Sequence, residues 1–455
     1  MDKFLYSVPF YILTEYLDLF DLITLSAVDP TIQTEIYHKT RPLNIEIHDV
    51  LYGKFLLQIF KTITFTLQYP SHHICHSPEI LSHTEQLTLN CNQSLSPKYL
   101  PNIRKINLRL TETLSDEDLS NLTTLQELTI DQCDLISDDG LVSLSNLKSL
   151  IISQDNLTDA ALSGKCLNLT ELHILYNENI TTAGISHLTN LSTLYLNDVY
   201  KIRGSCFKNF ANLRNLILEE TVNITDDDLR YLPKLSKLRL LRNKEITIEG
   251  LMCLGELTDL SLVYGEGIEV SELNRLEKLV RLEVVNYGVI VNELELKNLT
   301  DLSISGYSEY MKIGMEKLVC LNLSWVFVHE FSLINCTKLR ELRLDNTIRV
   351  KDWDISYLRD LRILSLVNNN TITDGGIMFL TNLCELNLTS NKRITDYGVR
   401  NLVNLTSLML WDSLITDAGL VPLVNLRMLD GGRYYEDDDS SRYRLHRVRL
   451  PHLFL

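Results

Sequence analysis

The pattern LxxLxL recurs along this chain at a spacing of 22 residues, through Leu147, Leu150 and Ile152, then Leu169, Leu172 and Ile174, then Leu191, Leu194 and Leu196. It continues in unbroken register at Leu213, Leu235, Leu257 and Leu279, and resumes at Leu339, Leu361, Leu383 and Leu405. Apolar residues two apart signal short strands with one buried face. A fixed period of this size predicts a solenoid, because a single unit cannot bury its apolar face and must stack on its neighbours. Stacking produces one long surface rather than one pocket, so a binding role is expected.

Residues 213–234 show how one unit is built. Leu216 and Leu218 alternate with Ile217 in a strand. Thr221 takes the place held elsewhere by Asn177, Asn243, Asn369 and Asn391, and by Cys133 in one unit. Polar side chains stacked there are expected to satisfy the backbone of the turn that leaves the strand. Ile-Thr-Asp follows at 224–226 and again at 372–374, 394–396 and 415–417, with Ile136-Ser137-Asp138 as a variant. Thr225 reads as a helix N-cap, and Asp226 and Asp228 fall in the first turn, where the helix dipole favours anions. Leu229 and Leu232 return the short helix to the core. Strands pack about 4.8 Å apart and helices roughly 10 Å, so the strands should lie on the inner side of a bend.

These units resemble the leucine-rich-repeat family, in the form LxxLxLxxNxxITDxGLxxL, over most of the chain. The resemblance implies an α/β fold: a curved leucine-rich-repeat solenoid with a parallel β-sheet on the concave face and short helices or 3₁₀ segments on the convex face. Its expected extent is 42–431, with irregular stretches at 42–102 and 285–338. In the first of these, Leu43, Ile45 and Ile47, then Ile63, Phe65 and Leu67, read as degenerate strands leading into Leu87 and Leu89. In the second, units begin at Leu299, Leu318 and Leu339, spacings of 20, 19 and 21, and Ile-Thr-Asp gives way to segments such as Tyr307-Ser308-Glu309-Tyr310-Met311. A shortened outer segment and a local change of curvature are expected there. Drift in a tolerant array and a ligand-specific hinge both explain it.

Residues 1–41 break the pattern. Ile12, Leu13, Tyr16 and Leu17 have helical spacing, and Asp21 is placed to cap a second helix carrying Leu22, Leu25 and Val28 before Pro30. The order Val8-Pro9, Ile12-Leu13, Tyr16-Leu17, Asp21-Leu22, Leu25, Val28 resembles an F-box. Beyond Val28 the family's usual Cys and Trp are absent and Asp29-Pro30 stands instead. The resemblance implies that Pro9, Ile12, Leu13, Leu17, Leu22, Leu25 and Val28 contact the Skp-type adaptor of a cullin ubiquitin ligase, while the repeat array holds a target protein. The alternative is a helical cap over the open end of the solenoid, in a binding scaffold or inhibitor with no adaptor. At the other end, residues 432–455 run acidic (Glu436 to Asp439) then basic (Arg442, Arg444, Arg447, Arg449), a solvated tail or a closing cap.

Composition narrows the classes. The 455 residues are 45% apolar and 22% charged, with a net charge of −16. That balance argues against a nucleic-acid ligand, whose phosphates call for a basic face. No run has the apolar length to span a bilayer, and Met1-Asp2-Lys3 does not open a signal peptide. The nine cysteines show no short paired spacing, which fits reduced thiols in the cytoplasm or nucleus. His72-His73-Ile74-Cys75-His76 lacks the paired CxxC of a metal site, and no phosphate loop or nucleophile triad is present, so neither an enzyme nor a cofactor is expected.

A ligand should sit where the residue between the two strand leucines, and the one after the second, face outward. The first column includes Ile151, His173, Tyr195, Ile217, Arg239, Ser261 and Glu283, and the second includes Leu175, Leu241, Val263 and Val285. Contiguous exposed apolar surface commonly marks a protein-binding site, anchored by aromatic residues or Arg. His173, Tyr195, Ile217, Arg239 and Leu241 are the candidate anchors. High β-propensity in short strands would produce the same residues without a ligand.

Overall fold

A computed structural model describes residues 22–24, 27 and 43–430, apart from 61–62, 91–96, 112–113, 155, 164–167, 265–267, 287–292, 314, 334–335 and 348. The fold groups into two compact units, divided between Leu213 and Arg214. Of the adaptor-facing candidates, Pro9, Ile12, Leu13, Leu17, Leu25 and Val28 lie outside the described residues, as does the 432–455 segment. Leu22 lies in a helical stretch and is buried at 2% exposure.

The first unit is a ladder of parallel strands, each paired with the next in sequence. Leu43–Glu46 pairs with Ile63–Gln68, and the ladder runs on through Lys105–Arg109, Glu127–Asp131, Ser149–Ser153 and Glu171–Leu175 to Thr193–Asn197. Alternation decides which side is core: Leu150, Ile152, Leu172 and Ile174 are fully buried, while Ser149, Ile151 and Ser153 remain half-exposed. Each fully buried leucine stabilises the stack by roughly 1.5–3 kcal/mol relative to an exposed one. The first outer segment, Val50–Ile59, is the longest helix among the described residues, and its Asp49 N-cap accepts from Tyr52 N at 2.8 Å.

The second unit repeats the arrangement from Asn215–Glu219 through Lys237–Leu241, Asp259–Val263 and Arg281–Asn286, and on to Met428–Asp430. Its irregular stretch differs in kind from the rest. The strand Asp301–Ile313 continues past the repeat sheet, and residues 306–313 pair in parallel with 326–333. Strand therefore replaces helix on the outer side. Extended chain spans about 3.3 Å per residue against 1.5 Å for a helix, so a unit of 19 or 20 residues still closes.

The Ile-Thr-Asp motif proves to be a link between units. Thr247, Thr373, Thr395 and Thr416 are N-caps whose hydroxyls accept from the N–H two residues on. The aspartate does more than answer the dipole. Asp226 accepts from Thr247 N at 2.8 Å and from its hydroxyl at 2.7 Å, one unit along. Asp116 does the same for Ser137, and Asp159 for Thr181. The glycine of DxGL packs against the preceding unit's carboxylate: a Cβ at Gly419 would stand 2.4 Å from Asp396 Oδ1.

The stacked asparagines behave as expected. Buried Asn243 donates to Thr221 O at 3.1 Å and accepts from Glu245 N and Ile246 N, and Asn369 and Asn391 repeat the arrangement. Less expected is one residue in the turn that leaves each strand. Arg242, Tyr264, Asn368 and Ser390 have φ of 47°, 52°, 50° and 56°. A side chain in this left-handed region costs roughly 1–2 kcal/mol. Each of these N–H groups bonds the neighbouring unit's carbonyl, as Arg242 N does Val263 O at 2.9 Å, so the stack holds the turn in place.

Candidate functional site: a charged groove on the sheet of the second unit

In the strand Lys237–Leu241, Leu238 and Leu240 point into the core while Lys237 and Arg239 are exposed. Parallel pairing without register shift sets like positions side by side. Ile217, Arg239, Ser261, Glu283, Ser303 and Asn322 form one row. Asn215, Lys237, Asp259, Arg281, Asp301, Cys320 and Glu341 form the row beside it. Together they line a groove of about 460 Å³ on the sheet surface.

Most charges in the groove already have partners. Arg281 Nε lies 3.7 Å from Asp301 and 4.0 Å from Asp259. Glu283 accepts from Ser261 Oγ at 2.6 Å, and Glu341 from Arg343 Nε at 2.8 Å. Asp301 also accepts from Thr300 Oγ1 at 2.5 Å. Cys320 stands between Asp301 and Glu341, and burial, followed by those two carboxylates, pushes its thiol up to about 11. Such a thiol is a poor nucleophile at neutral pH. The side chains of Lys237 and Arg239 make no ion pair or hydrogen bond with any described residue, with Asp259 the strand neighbour of Lys237. They form the unspent cationic end of the groove.

The five candidate anchors fall in both units. His173 and Tyr195 are neighbours in the first unit, with rings 5.6 Å apart and edge-on. Burial lowers the His173 pKa, against the opposing pull of Glu171, whose Oε1 lies 3.0 Å from Nε2. Ile217 and Arg239 line the groove of the second unit. Leu241 is paired with Glu219 and Val263, is half-buried and lies off the groove lining. Val263, expected on the exposed face, is buried at 6% exposure. Beside the expected row of Ile217, Arg239, Ser261 and Glu283, the surface of the second unit carries a second, largely charged row.

The sequence reading missed the row ahead of the first strand leucine, from Asn215 to Glu341. The signal was present, since residues two apart in a strand share a face. At the N-terminal end, the helix His72–Cys75 leaves Cys75 Sγ bonded to Pro70 O at 3.7 Å. Among the described residues, no group of three His, Cys, Asp or Glu side chains is placed to hold a metal ion, and no helix is long and apolar enough to cross a membrane.

No family model matches the chain, and no curated protein matches its sequence. Solved structures do. An internalin of Listeria monocytogenes aligns over 72% of this chain and 91% of its own, at 20% identity and a TM-score of 0.46. A leucine-rich-repeat protein of Leptospira interrogans aligns over 84% of this chain and 99% of its own, at 20% identity and a TM-score of 0.44. The structure of a TLR13–ssRNA13 complex aligns over 78% of this chain and 64% of its own, at 18% identity and a TM-score of 0.50. Parallel 22-residue units, the asparagine stack and this last likeness define the class: the chain has the leucine-rich-repeat fold.

Proposed function

We propose that this chain is a non-enzymatic protein-binding scaffold whose ligand lies across the sheet surface of the second unit. One observation carries the reading. Behind the sheet, the same apolar positions recur unit after unit, whereas the exposed rows change residue type at every step and enclose a groove with two unspent cations. Aperiodic chemistry on a periodic frame is what recognition of a particular extended partner requires. The test is selection of displayed random octapeptides on the full chain. Ser303 lines the groove, so Ser303→Arg should abolish binding of the recovered peptides, while Tyr397→Arg on the helix side should leave it intact. Equal binding by both variants contradicts the reading.

A finer reading rests on the N-terminal spacing, from Val8-Pro9 through Ile12-Leu13, Leu17 and Leu22 to Leu25 and Val28. On it, the chain is the target-recognition subunit of a cullin-type ubiquitin ligase in the cytoplasm or nucleus, with a Skp-type adaptor as its second partner. Buried Leu22 is a poor choice for mutation, since an aspartate there disrupts the interior. Co-purification with a Skp-type adaptor, wild type against a Leu13→Asp, Leu17→Asp double variant of equal melting temperature, decides the matter. Capture lost in the variant supports the adaptor role. No capture by either leaves the scaffold reading without an adaptor.

A further inference from the structure

We infer that the groove of the second unit recognises a short acidic segment of a partner protein, its carboxylates seated on Lys237 and Arg239. The inference rests on the scaffold reading and adds the ligand's chemistry. Lys237 and Arg239 lie two residues apart on one face of one strand, about 6.6 Å along it. Both are exposed, and neither side chain forms an ion pair with a described residue, although Asp259 sits beside Lys237 on the next strand. This is unusual in a chain of net charge −16, where carboxylates are in excess. By contrast, Arg281 in the same row is shared between Asp259 and Asp301. Two parallel cations left open beside a groove place a bidentate donor and a point charge where one or two carboxylates fit.

The neighbouring strands limit how long the anionic part of the ligand can be. Asp259 and Glu283 stand one and two strands from this pair, at about 4.8 Å per strand. A polyanion such as single-stranded RNA would carry its next phosphates onto those carboxylates. A peptide with one or two acidic residues followed by neutral ones would not. The chain's own acidic run at 436–439 is excluded as an occupant in cis. Nine strand steps, about 43 Å, separate Lys237–Leu241 from Met428–Asp430, whereas six to nine residues beyond 430 reach about 20–30 Å.

The experiment compares octapeptides selected on the full wild-type chain with those selected on a Lys237→Glu, Arg239→Glu double variant. Anisotropy of fluorescein-labelled peptides then gives their affinities. Both side chains are exposed, so the variant should melt as wild type does. Wild type should enrich Asp and Glu at one or two adjacent positions, and the double variant should weaken those peptides at least about tenfold and enrich Lys and Arg instead. Binders without acidic residues, insensitive to the reversal, overturn the acidic ligand and leave the scaffold standing. Failure to enrich any peptide overturns both. Labelled oligo-adenylate bound as tightly as the best peptide, and lost in the double variant, overturns the peptide in favour of nucleic acid.

Discussion

Asp374 Oδ1 accepts the backbone N–H of Thr395 at 2.8 Å, and Asp374 Oδ2 accepts its hydroxyl at 2.7 Å. One carboxylate therefore joins the helix start of its own unit to that of the next. Removing it strips two hydrogen bonds to a charged acceptor at a partly solvated site. Asp374→Ala should lower stability by about 1–2 kcal/mol, read from urea unfolding followed by circular dichroism. An unchanged midpoint would mean that the link is ornamental.

Gly398 lies beneath the same carboxylate, and a Cβ there would stand 2.5 Å from Asp374 Oδ1. Helix propensity alone favours alanine over glycine by up to about 1 kcal/mol. Packing opposes it, and Gly398→Ala should destabilise by about 1–3 kcal/mol. In the Asp374→Ala background that penalty should fall by at least about 1 kcal/mol, because the oxygen it meets is gone. A double-mutant cycle with no coupling would refute this explanation of the glycine.

Asn391 has no solvent exposure and satisfies three backbone groups: it donates to Asn369 O at 2.7 Å and accepts from Arg393 N at 2.9 Å and Ile394 N at 3.0 Å. Asn391→Leu keeps the bulk and orphans all three. The expected loss is about 3 kcal/mol, since each buried unpaired group costs on the order of 1 kcal/mol or more. Thermal unfolding of the variant checks it.

Cys320 gives a pH prediction within the groove. A thiol held at about 11 is thiolate to about one part in a thousand at pH 8, and its reactive fraction rises tenfold per pH unit until near that value. Iodoacetamide should modify Cys320 more slowly than exposed Cys253, with a rate still climbing at pH 10. Asp301→Asn removes one of the carboxylates that raise it and should speed labelling at pH 8. Peptide mass spectrometry reads both rates.

The frame was legible because burial follows a strict period. Leu238, Leu240 and their equivalents could be placed from spacing alone, and Asn243 from its recurrence. Two features were not legible, each for a physical reason. The left-handed turn at Arg242 and Asn368 is imposed by the neighbouring unit's carbonyl, so no glycine announces it. The outer strands at 306–313 and 326–333 arise where units are too short for a helix, and a length deficit does not state what replaces it. The charged row from Lys237 to Glu341 was readable by the same alternation that placed Arg239. Apolar surface is the commoner mark of a protein ligand, and this row carries almost none.

The central claim is that partners bind the sheet surface of the second unit. Its most direct test installs a photo-crosslinking benzoylphenylalanine at Ser303 on the sheet or at Tyr397 on the helix side, and irradiates each with a selected octapeptide. Cross-linked peptide at position 303 and none at 397 is the expected result. Cross-linking at 397 alone would place the ligand on the helices and contradict the claim.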